Sequence, residues 1–180
     1  FGRDKVYTNV YLDNKNTDYT EIDVIALSAY GIYVFEMKNY SGYIYGSEND
    51  EYWTQVLNKF SKSKFYNPLR QNYAHTKAVE RYLELKENET IPVIVFSNHS
   101  KLSKINVSNE KNVLQIKDVI QFINKNSKRK EIVFSENELK EFSVKLIERS
   151  NMPQEIKGKH IEQVTTIQKN SNFNNIDREK

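Results

Sequence analysis

Two short apolar segments joined by a turn constrain the fold of this chain more than any other feature. Residues 22–27 and 32–37 are rich in β-branched and aromatic side chains, and residues 28–31 separate them. This pattern is typical of a β-hairpin, and Gly31 can adopt the positive φ that a four-residue loop needs at its end. The sequence therefore predicts an antiparallel pair of strands at the centre of the fold.

The length of the loop decides which charged side chains lie together. A four-residue loop pairs Leu27 with Ile32, and counting back from that pair places Asp23 directly opposite Glu36. Opposed residues on one face have Cβ atoms about 4.5–5.5 Å apart, and the alternation of side chains places Lys38 on the face of Glu36. A three-residue loop would move Asp23 to the other face. We expect the four-residue loop, and hence two carboxylates and an ammonium group in one patch.

These three side chains predict a site for phosphodiester hydrolysis. Two carboxylates as close as Asp23 and Glu36 repel each other unless a cation lies between them, and their hard oxygen atoms suit Mg²⁺ or Mn²⁺. Such a metal polarises a phosphoryl oxygen and acidifies a bound water, while Lys38 orients that water or stabilises developing negative charge. The alternative is a surface hairpin on which Glu36 and Lys38 form an ion pair.

Short motifs around the hairpin carry a family resemblance. In chain order, along about residues 5–123, they are Glu21-Ile-Asp23-Val, Tyr30-Gly31-Ile, Glu36-Met-Lys38-Asn-Tyr-Ser-Gly42, Tyr52-Trp53-Thr-Gln55, Tyr66-Asn-Pro68-Leu-Arg-Gln71 and His75. This order resembles the nuclease-related domain (NERD) family of the PD-(D/E)xK superfamily. The resemblance implies a restriction-endonuclease-like α/β/α fold, in which helices flank a mixed sheet with an antiparallel meander and a parallel crossover strand. It also implies Mg²⁺-dependent nuclease chemistry.

The helix after the basic segment adds two site residues. Asn67 as N-cap and Pro68 at the first helical position predict a helix that continues to about Lys86. Gln71 and His75 lie one turn apart, on the same side of this helix. The resemblance implies that this helix packs beside the active site, which makes Gln71 a catalytic residue with Asp23, Glu36 and Lys38, and His75 a substrate-binding residue. A structural role for His75 is the alternative.

Residues 58–66 interleave lysines with aromatic residues and contain no acid. We predict a loop here, in which Lys59, Lys62 and Lys64 follow a phosphate backbone and the aromatic rings stack on bases. Arg70 is a further predicted substrate-binding residue. The alternative is a solvated loop whose aromatic residues pack inward.

The remaining pattern predicts strands and helices around the hairpin. Residues 5–12 alternate as in a strand, and two short strands at 43–46 and 52–57 are expected to extend the antiparallel meander. Residues 91–97 form a continuous apolar run directly after a helix, which favours a buried parallel strand. Later elements are predicted at residues 112–115, 118–124 and 135–149 as a strand and two helices.

A capping box indicates where the last helix begins. Ser135 is followed three residues later by Glu138, so each side chain can bond the backbone of the other. The apolar side chains predicted for the inner face of this helix are Leu139, Phe142, Leu146 and Ile147.

Length and composition are typical of one domain and exclude several function classes. We expect a nuclease domain at residues 1–150 and an extension or linker at 151–180. Neither Asp4 nor Glu21 matches the Gly-Glu pair of the N-terminal helix that the family carries, and we expect that helix and other domains to lie outside this segment. The chain has no cysteine, which excludes disulfides and thiolate metal sites. No apolar run is long enough to cross a membrane.

Charge and chemistry together lead to one functional hypothesis and two alternatives. The net charge of +3 is compatible with a polyanionic partner. We therefore predict a metal-dependent nuclease in the cytoplasm, with Mg²⁺ or Mn²⁺ as cofactor and DNA as partner. A nucleic-acid-binding or scaffolding module that has lost activity is the alternative. A phosphatase for small esters is a third hypothesis, but the chain has no glycine-rich phosphate cradle.

Overall fold

A computed structural model describes residues 5–14, 18–108, 112–128 and 131–150, which form two mixed β-sheets and three α-helices. The strands are β1 (Val6–Asp13), β2 (Tyr19–Ala26), β3 (Ile32–Lys38), β4 (Gly42–Ser47), β5 (Tyr52–Asn58), β6 (Ser61–Tyr66), β7 (Thr90–Phe96), β8 (Ser100–Asn106) and β9 (Asn112–Gln115). The helices are α1 (Pro68–Leu83), α2 (Val119–Ser127) and α3 (Glu136–Ser150), with 3₁₀ turns at Glu87–Glu89 and Ile116–Asp118. This arrangement is consistent with a restriction-endonuclease-like core. The predicted extension at 151–180 lies outside the described residues.

The first sheet lies between two helical layers. Its strand order is β1-β2-β3-β7-β9, with antiparallel pairing from β1 to β3 and parallel pairing from β3 to β9. Helices α1 and α3 pack on one face through one apolar cluster, and α2 packs on the other face through a second cluster. The prediction of a buried parallel strand after α1 is confirmed by β7. None of the helices within the described ranges is long and apolar enough to cross a membrane.

The β2–β3 hairpin has the predicted register. Ala26 pairs with Tyr33 and Val24 pairs with Phe35, as a four-residue loop requires. Gly31 ends that loop with φ +136°, and its N–H donates to the Ser28 carbonyl at 3.2 Å. Local turn chemistry therefore sets the alignment of the two strands that carry the predicted site.

The prediction that β4 and β5 extend the meander is wrong. They belong to a second sheet with the order β6-β5-β4-β8, in which β4 pairs with β8 in parallel. The reason is that β2 and β7 already occupy both edges of β3, so the next strand has no free edge to pair with. Gly42 turns the chain away with φ +77°, and its N–H donates to the His99 carbonyl at 3.1 Å.

The prediction of a loop over residues 58–66 is also wrong beyond its first residues. Strand β6 pairs with β5 along its length, with a register shift near the turn. Phe65 packs inward against Trp53 and Tyr40, whereas Lys62 and Lys64 are exposed. The lysines hide this alternation in the sequence, because three of them within six residues resemble a solvated loop.

Asn67 connects the start of α1 to the second sheet. Its Oδ1 accepts from the Leu69 N–H at 2.9 Å, which confirms the predicted N-cap. Its Nδ2 lies within hydrogen-bonding distance of three carbonyl oxygens in the β4–β5 turn, those of Ser47, Glu48 and Asp50. The side chain is fully buried, so it holds the helix start against this turn.

Asn67→Ala is expected to lower the free energy of unfolding by about 2 kcal/mol, because it removes a cap and takes one donor away from three part-buried carbonyls. Asn58→Ala is the matched control, since Asn58 is exposed and its Oδ1 accepts a single backbone N–H, that of Phe60. Urea unfolding of both variants measures the difference. Equal, small losses would contradict a structural role for Asn67.

Two helix boundaries show where prediction succeeds and where it fails. The capping box at Ser135 is confirmed, because Ser135 N donates to Glu138 Oε2 at 2.8 Å and Glu138 N donates to Ser135 Oγ at 3.3 Å. Ile147 was predicted on the inner face of α3 but is 49% exposed, whereas the other three predicted residues are buried. Helix α1 ends at Leu83 rather than near residue 86, because Glu84 adopts a left-handed conformation.

Candidate active site

Strands β2 and β3 place the two predicted carboxylates beside each other. Glu36 points from β3 toward α1 and is 2% exposed. Asp23 lies one residue beyond the last β2–β3 pair, and its Oδ2 accepts from the Met37 N–H at 2.7 Å. The Asp23 side chain therefore takes the place of a carbonyl acceptor where the regular pairing ends.

Strand β1 is distorted next to Asp23. Thr8 pairs with Val24 and Val10 pairs with Ile22, while Asn9 between them has φ 51°. A non-glycine residue with positive φ is strained, and such residues are frequent at functional sites. The sequence alone offers no signal for this distortion.

Lys38 links the strand to the helix. Its Nζ lies 2.6 Å from Glu36 Oε1 and donates to Gln71 Oε1 at 2.9 Å. Glu36 and Lys38 thus form the ion pair of the alternative hypothesis, but the pair does not lie on the surface. The side chain of Glu36 is 3% exposed and that of Lys38 is 15% exposed. Burial of an ion pair is costly, so its presence here calls for a reason other than stability.

His75 approaches the other oxygen of Glu36. Its Nδ1 lies 3.1 Å from Glu36 Oε2, but the two atoms are not aligned as a hydrogen bond. Neither atom has a hydrogen-bond partner within the described part of the chain, although both are buried. Asp23, Glu36, Lys38, Gln71 and His75 together are called the carboxylate–lysine cluster below.

The two carboxylates have pKa values displaced in opposite directions. Burial raises the pKa of Asp23, and the charge of Glu36 adds to this, against the Met37 N–H bond. Burial alone would also raise the pKa of Glu36, but the nearby imidazole of His75 and the charge of Lys38 outweigh it and hold that pKa below its usual range. Glu36 is therefore a carboxylate at neutral pH.

The residues present fit a hard divalent cation with open positions. Glu36 Oε2 is a buried carboxylate oxygen without a hydrogen-bond donor in the described residues, and Asp23 lies beside Glu36. No group of three or more His, Asp or Glu side chains suited to a metal occurs in those residues. Mg²⁺ is commonly bound by one or two carboxylates together with waters and substrate phosphates, so two carboxylates are enough.

The other predicted substrate-binding residues lie outside the carboxylate–lysine cluster. Lys59 is in the turn after β5, and Lys62 and Lys64 lie on β6; all three are exposed. Arg70 is exposed in the first turn of α1 and donates from Nη2 to the Asn49 carbonyl at 2.9 Å. Their role in substrate binding stays a prediction.

Sequence reasoning missed one residue that sets the distance between α1 and the first sheet. Asn72 is 1% exposed, and its Nδ2 donates to the carbonyls of Val34 at 3.0 Å and Val93 at 3.3 Å. It joins α1 to both β3 and β7, one position after Gln71. The sequence offered one signal for this role: Asn72 is a polar residue on the side of the helix that also carries Val79 and Leu83.

Comparisons with known proteins cover the part of the chain that holds this cluster. The family model described as nuclease-related domain matches residues 2–97. An uncharacterized protein of Bacillus anthracis is 34% identical over 157 residues, which are 87% of this chain and 72% of the relative. No solved structure matches the chain significantly. Since the family model spans more than half of the sequence, the chain belongs to the nuclease-related domain (NERD) family.

Proposed function

We propose that this protein is a metal-dependent nuclease that hydrolyses phosphodiester bonds of DNA. The observation that carries the proposal is the buried Glu36, whose Oε1 is paired with Lys38 and whose Oε2 has no donor in the described residues. Buried carboxylates with perturbed pKa values and a specific cationic partner are concentrated at functional sites, which supports a ligand-binding or catalytic role for Glu36. Family membership supports nuclease-related chemistry in general.

Asp23 and Glu36 would hold Mg²⁺ or Mn²⁺. The bound metal supplies Lewis-acid polarisation of a phosphoryl oxygen and an acidified water. Asp23 is fixed by the Met37 N–H and Glu36 by Lys38, so both carboxylates are oriented by the fold before anything binds. Preorganisation of this kind avoids a reorganisation cost during the reaction.

Lys38 is the residue proposed to act on the reacting phosphate. Its Nζ is directed by two acceptors, Glu36 Oε1 and Gln71 Oε1, and an ammonium group has three protons to donate. One N–H therefore stays available for a phosphate oxygen or an attacking water. Gln71 acts by positioning Nζ, and the imidazole of His75 helps to keep Glu36 charged.

The second candidate function is a nucleic-acid-binding module without catalytic activity. The observation that favours it is the lack of any group of three potential metal ligands within the described residues. In that case the Glu36–Lys38 pair would be a remnant of the site that holds α1 on the sheet.

Cleavage assays with the wild-type protein separate the two functions. We expect plasmid, linear duplex or single-stranded DNA to be cleaved with Mg²⁺ or Mn²⁺ and to remain intact with EDTA, as read on denaturing gels. A small phosphate monoester is the control and should not be hydrolysed. DNA that is bound but not cleaved under every metal condition would contradict the nuclease and support the inactive module.

A further inference from the structure

The second sheet has an outer face built from tyrosines and lysines. Strand pairing aligns residues in rows across β8, β4, β5 and β6, because directly paired residues share a face. The first row consists of Lys101, Tyr43, Val56 and Lys62. The second row consists of Lys104, Tyr45, Thr54 and Lys64. A third, shorter row on β5 and β6 consists of Tyr52 and Tyr66. These residues are called the tyrosine–lysine face.

The opposite face of the same sheet is the one that packs into the protein. Ile44 and Trp53 are fully buried there and join a cluster with Ile94 and Phe96 of β7. On the tyrosine–lysine face, by contrast, Tyr43, Tyr52 and Tyr66 are 43%, 41% and 44% exposed. Large aromatic side chains at this exposure leave ring surface for a ligand.

The charge of this face has one sign. All four lysines are exposed and stand at the two ends of the rows, with no acidic residue in any row. No acidic group of the described residues lies within ion-pair distance of them. The nearest acids along β4 and β5, Glu48, Asp50 and Glu51, are in the connecting turn at one end of the sheet. The face therefore complements an anion with several charges.

The tyrosine rings of this face lie next to its lysines and next to each other. Lys101 Nζ lies 5.4 Å from the centroid of the Tyr43 ring, and Tyr52 and Tyr66 meet edge to face at 6.0 Å. Neighbouring strands are about 4.8 Å apart, so the lysines of one row are roughly 14 Å from each other across the tyrosine. An extended chain with alternating flat and anionic groups matches this pattern.

We propose that the tyrosine–lysine face binds single-stranded nucleic acid. Bases stack on the exposed rings of Tyr43 and Tyr66, and phosphates contact the lysines at the row ends. A duplex keeps its bases stacked on one another and would use the lysines only, so the exposed rings favour the single strand.

This proposal extends the proposed nuclease function. The role of the face in substrate capture rests on that function. Tyr43 follows Lys38 by five residues, so their Cα atoms are within about 18 Å of each other. This limit allows one nucleic-acid strand to contact both the face and the carboxylate–lysine cluster. Binding itself needs neither metal nor cleavage.

The test is fluorescence anisotropy with a labelled oligothymidylate in EDTA, which keeps cleavage out of the measurement. Tyr43→Ala and Tyr66→Ala should each weaken binding about 5- to 150-fold, the usual effect of losing one stacked base. Tyr43→Phe and Tyr66→Phe should bind like wild type, because the ring is kept. Tyr73→Ala is the matched control, since Tyr73 is 62% exposed but lies on α1.

Charge is tested separately by changing the four lysines of the face to glutamine together. The slope of log affinity against log salt should flatten by up to about 0.7 for each lysine that contacts a phosphate. The matched control changes four exposed lysines elsewhere, namely Lys117, Lys125, Lys128 and Lys140. Circular dichroism and thermal melts confirm that each variant is folded.

The proposal is overturned if the folded tyrosine variants bind as tightly as Tyr73→Ala, or if the two lysine sets change the salt slope equally. Duplex binding that is tighter than single-strand binding and insensitive to the tyrosines would assign the face to duplex DNA instead. Failure of the nuclease proposal looks different: it leaves this binding intact in EDTA but gives no cleavage when metal is added.

Discussion

Lys38→Ala is expected to reduce the rate of metal-dependent DNA cleavage by about 10²–10⁴-fold, the usual contribution of a positioned proton-transfer or charge-stabilising group. The loss follows from the removal of the one ammonium group that Glu36 and Gln71 direct. We expect the fold to remain, because His75 still contacts Glu36 and that carboxyl can take up a proton once the charge of Lys38 is gone. Single-turnover cleavage and a thermal melt measure the two effects separately.

The control for Lys38→Ala is a lysine in a similar setting away from the cluster. Lys77 also pairs with a largely buried glutamate, Glu80, at 2.9 Å, and the side chain of Glu80 is 9% exposed. Lys77→Ala should therefore affect stability in the same way but keep the wild-type cleavage rate. Lys38→Arg retains the charge and displaces the donor atom, so we expect it to be folded and slow. Cleavage by Lys38→Ala at the wild-type rate would remove Lys38 from the mechanism.

The central hairpin could be predicted because its determinants are local. The loop of residues 28–31 sets the register, and that register decides which face Asp23 occupies. The N-cap at Asn67 and the capping box at Ser135 are equally local, since each depends on a side chain and a backbone group within three residues. Of these features, the hairpin register alone places Asp23 and Glu36 side by side, without any knowledge of the rest of the fold.

The second sheet could not be predicted, because its pairing depends on distant segments. Strand β8 follows β4 by more than fifty residues, and the two pair only because β3 has no free edge left. Strand β6 was missed for another reason: its exposed lysines give it the composition of a loop. Lys62 and Lys64 were predicted to contact a phosphate backbone, but the tyrosine–lysine face as a whole could not be foreseen, because it needs the pairing of all four strands.

Within the site, the residue types were predictable and their contacts were not. Sequence reasoning expected repulsion that raises the pKa of one carboxylate, and Asp23 has the raised pKa, chiefly through burial with the charge of Glu36 adding to it. It did not foresee that His75 and Lys38 hold the pKa of Glu36 below its usual range. These contacts arise because α1 brings His75 and Gln71 against the sheet, at a distance set by the hydrogen bonds of the buried Asn72. A helical pattern indicates which face is apolar, but not how far the helix lies from the sheet.

Mn²⁺ is expected to stabilise the wild-type protein by about 2.7 kcal/mol at a hundredfold excess over its Kd, because the metal binds the folded cluster and not the unfolded chain. For a chain of this size the shift in Tm is about 5–10 °C. Mg²⁺ should act in the same direction. Thermal melts in EDTA and in increasing metal need no substrate, so they test the metal site even if cleavage is slow.

Asp23→Asn should raise the Tm of the metal-free protein and reduce the stabilisation by Mn²⁺. The pKa of Asp23 is raised in the fold, chiefly by burial, so its contribution to stability is present below the unfolded pKa and lost as the pH rises through the folded pKa. At neutral pH the charged Asp23 therefore destabilises the metal-free protein. Asparagine removes the charge and keeps an oxygen for the Met37 N–H, so the variant should melt higher than wild type in EDTA.

The response of Asp23→Asn to metal then decides whether the two carboxylates form a site. With one charged ligand lost, the variant should gain little from Mn²⁺, whereas Asp13→Asn should gain as much as wild type. Asp13 is the matched control because it is an exposed carboxylate that pairs with Arg149 on α3, away from the cluster. If Asp23→Asn and wild type gain equally from Mn²⁺, Asp23 is not a ligand, Glu36 is only the partner of Lys38 and His75, and the metal-dependent mechanism fails with it.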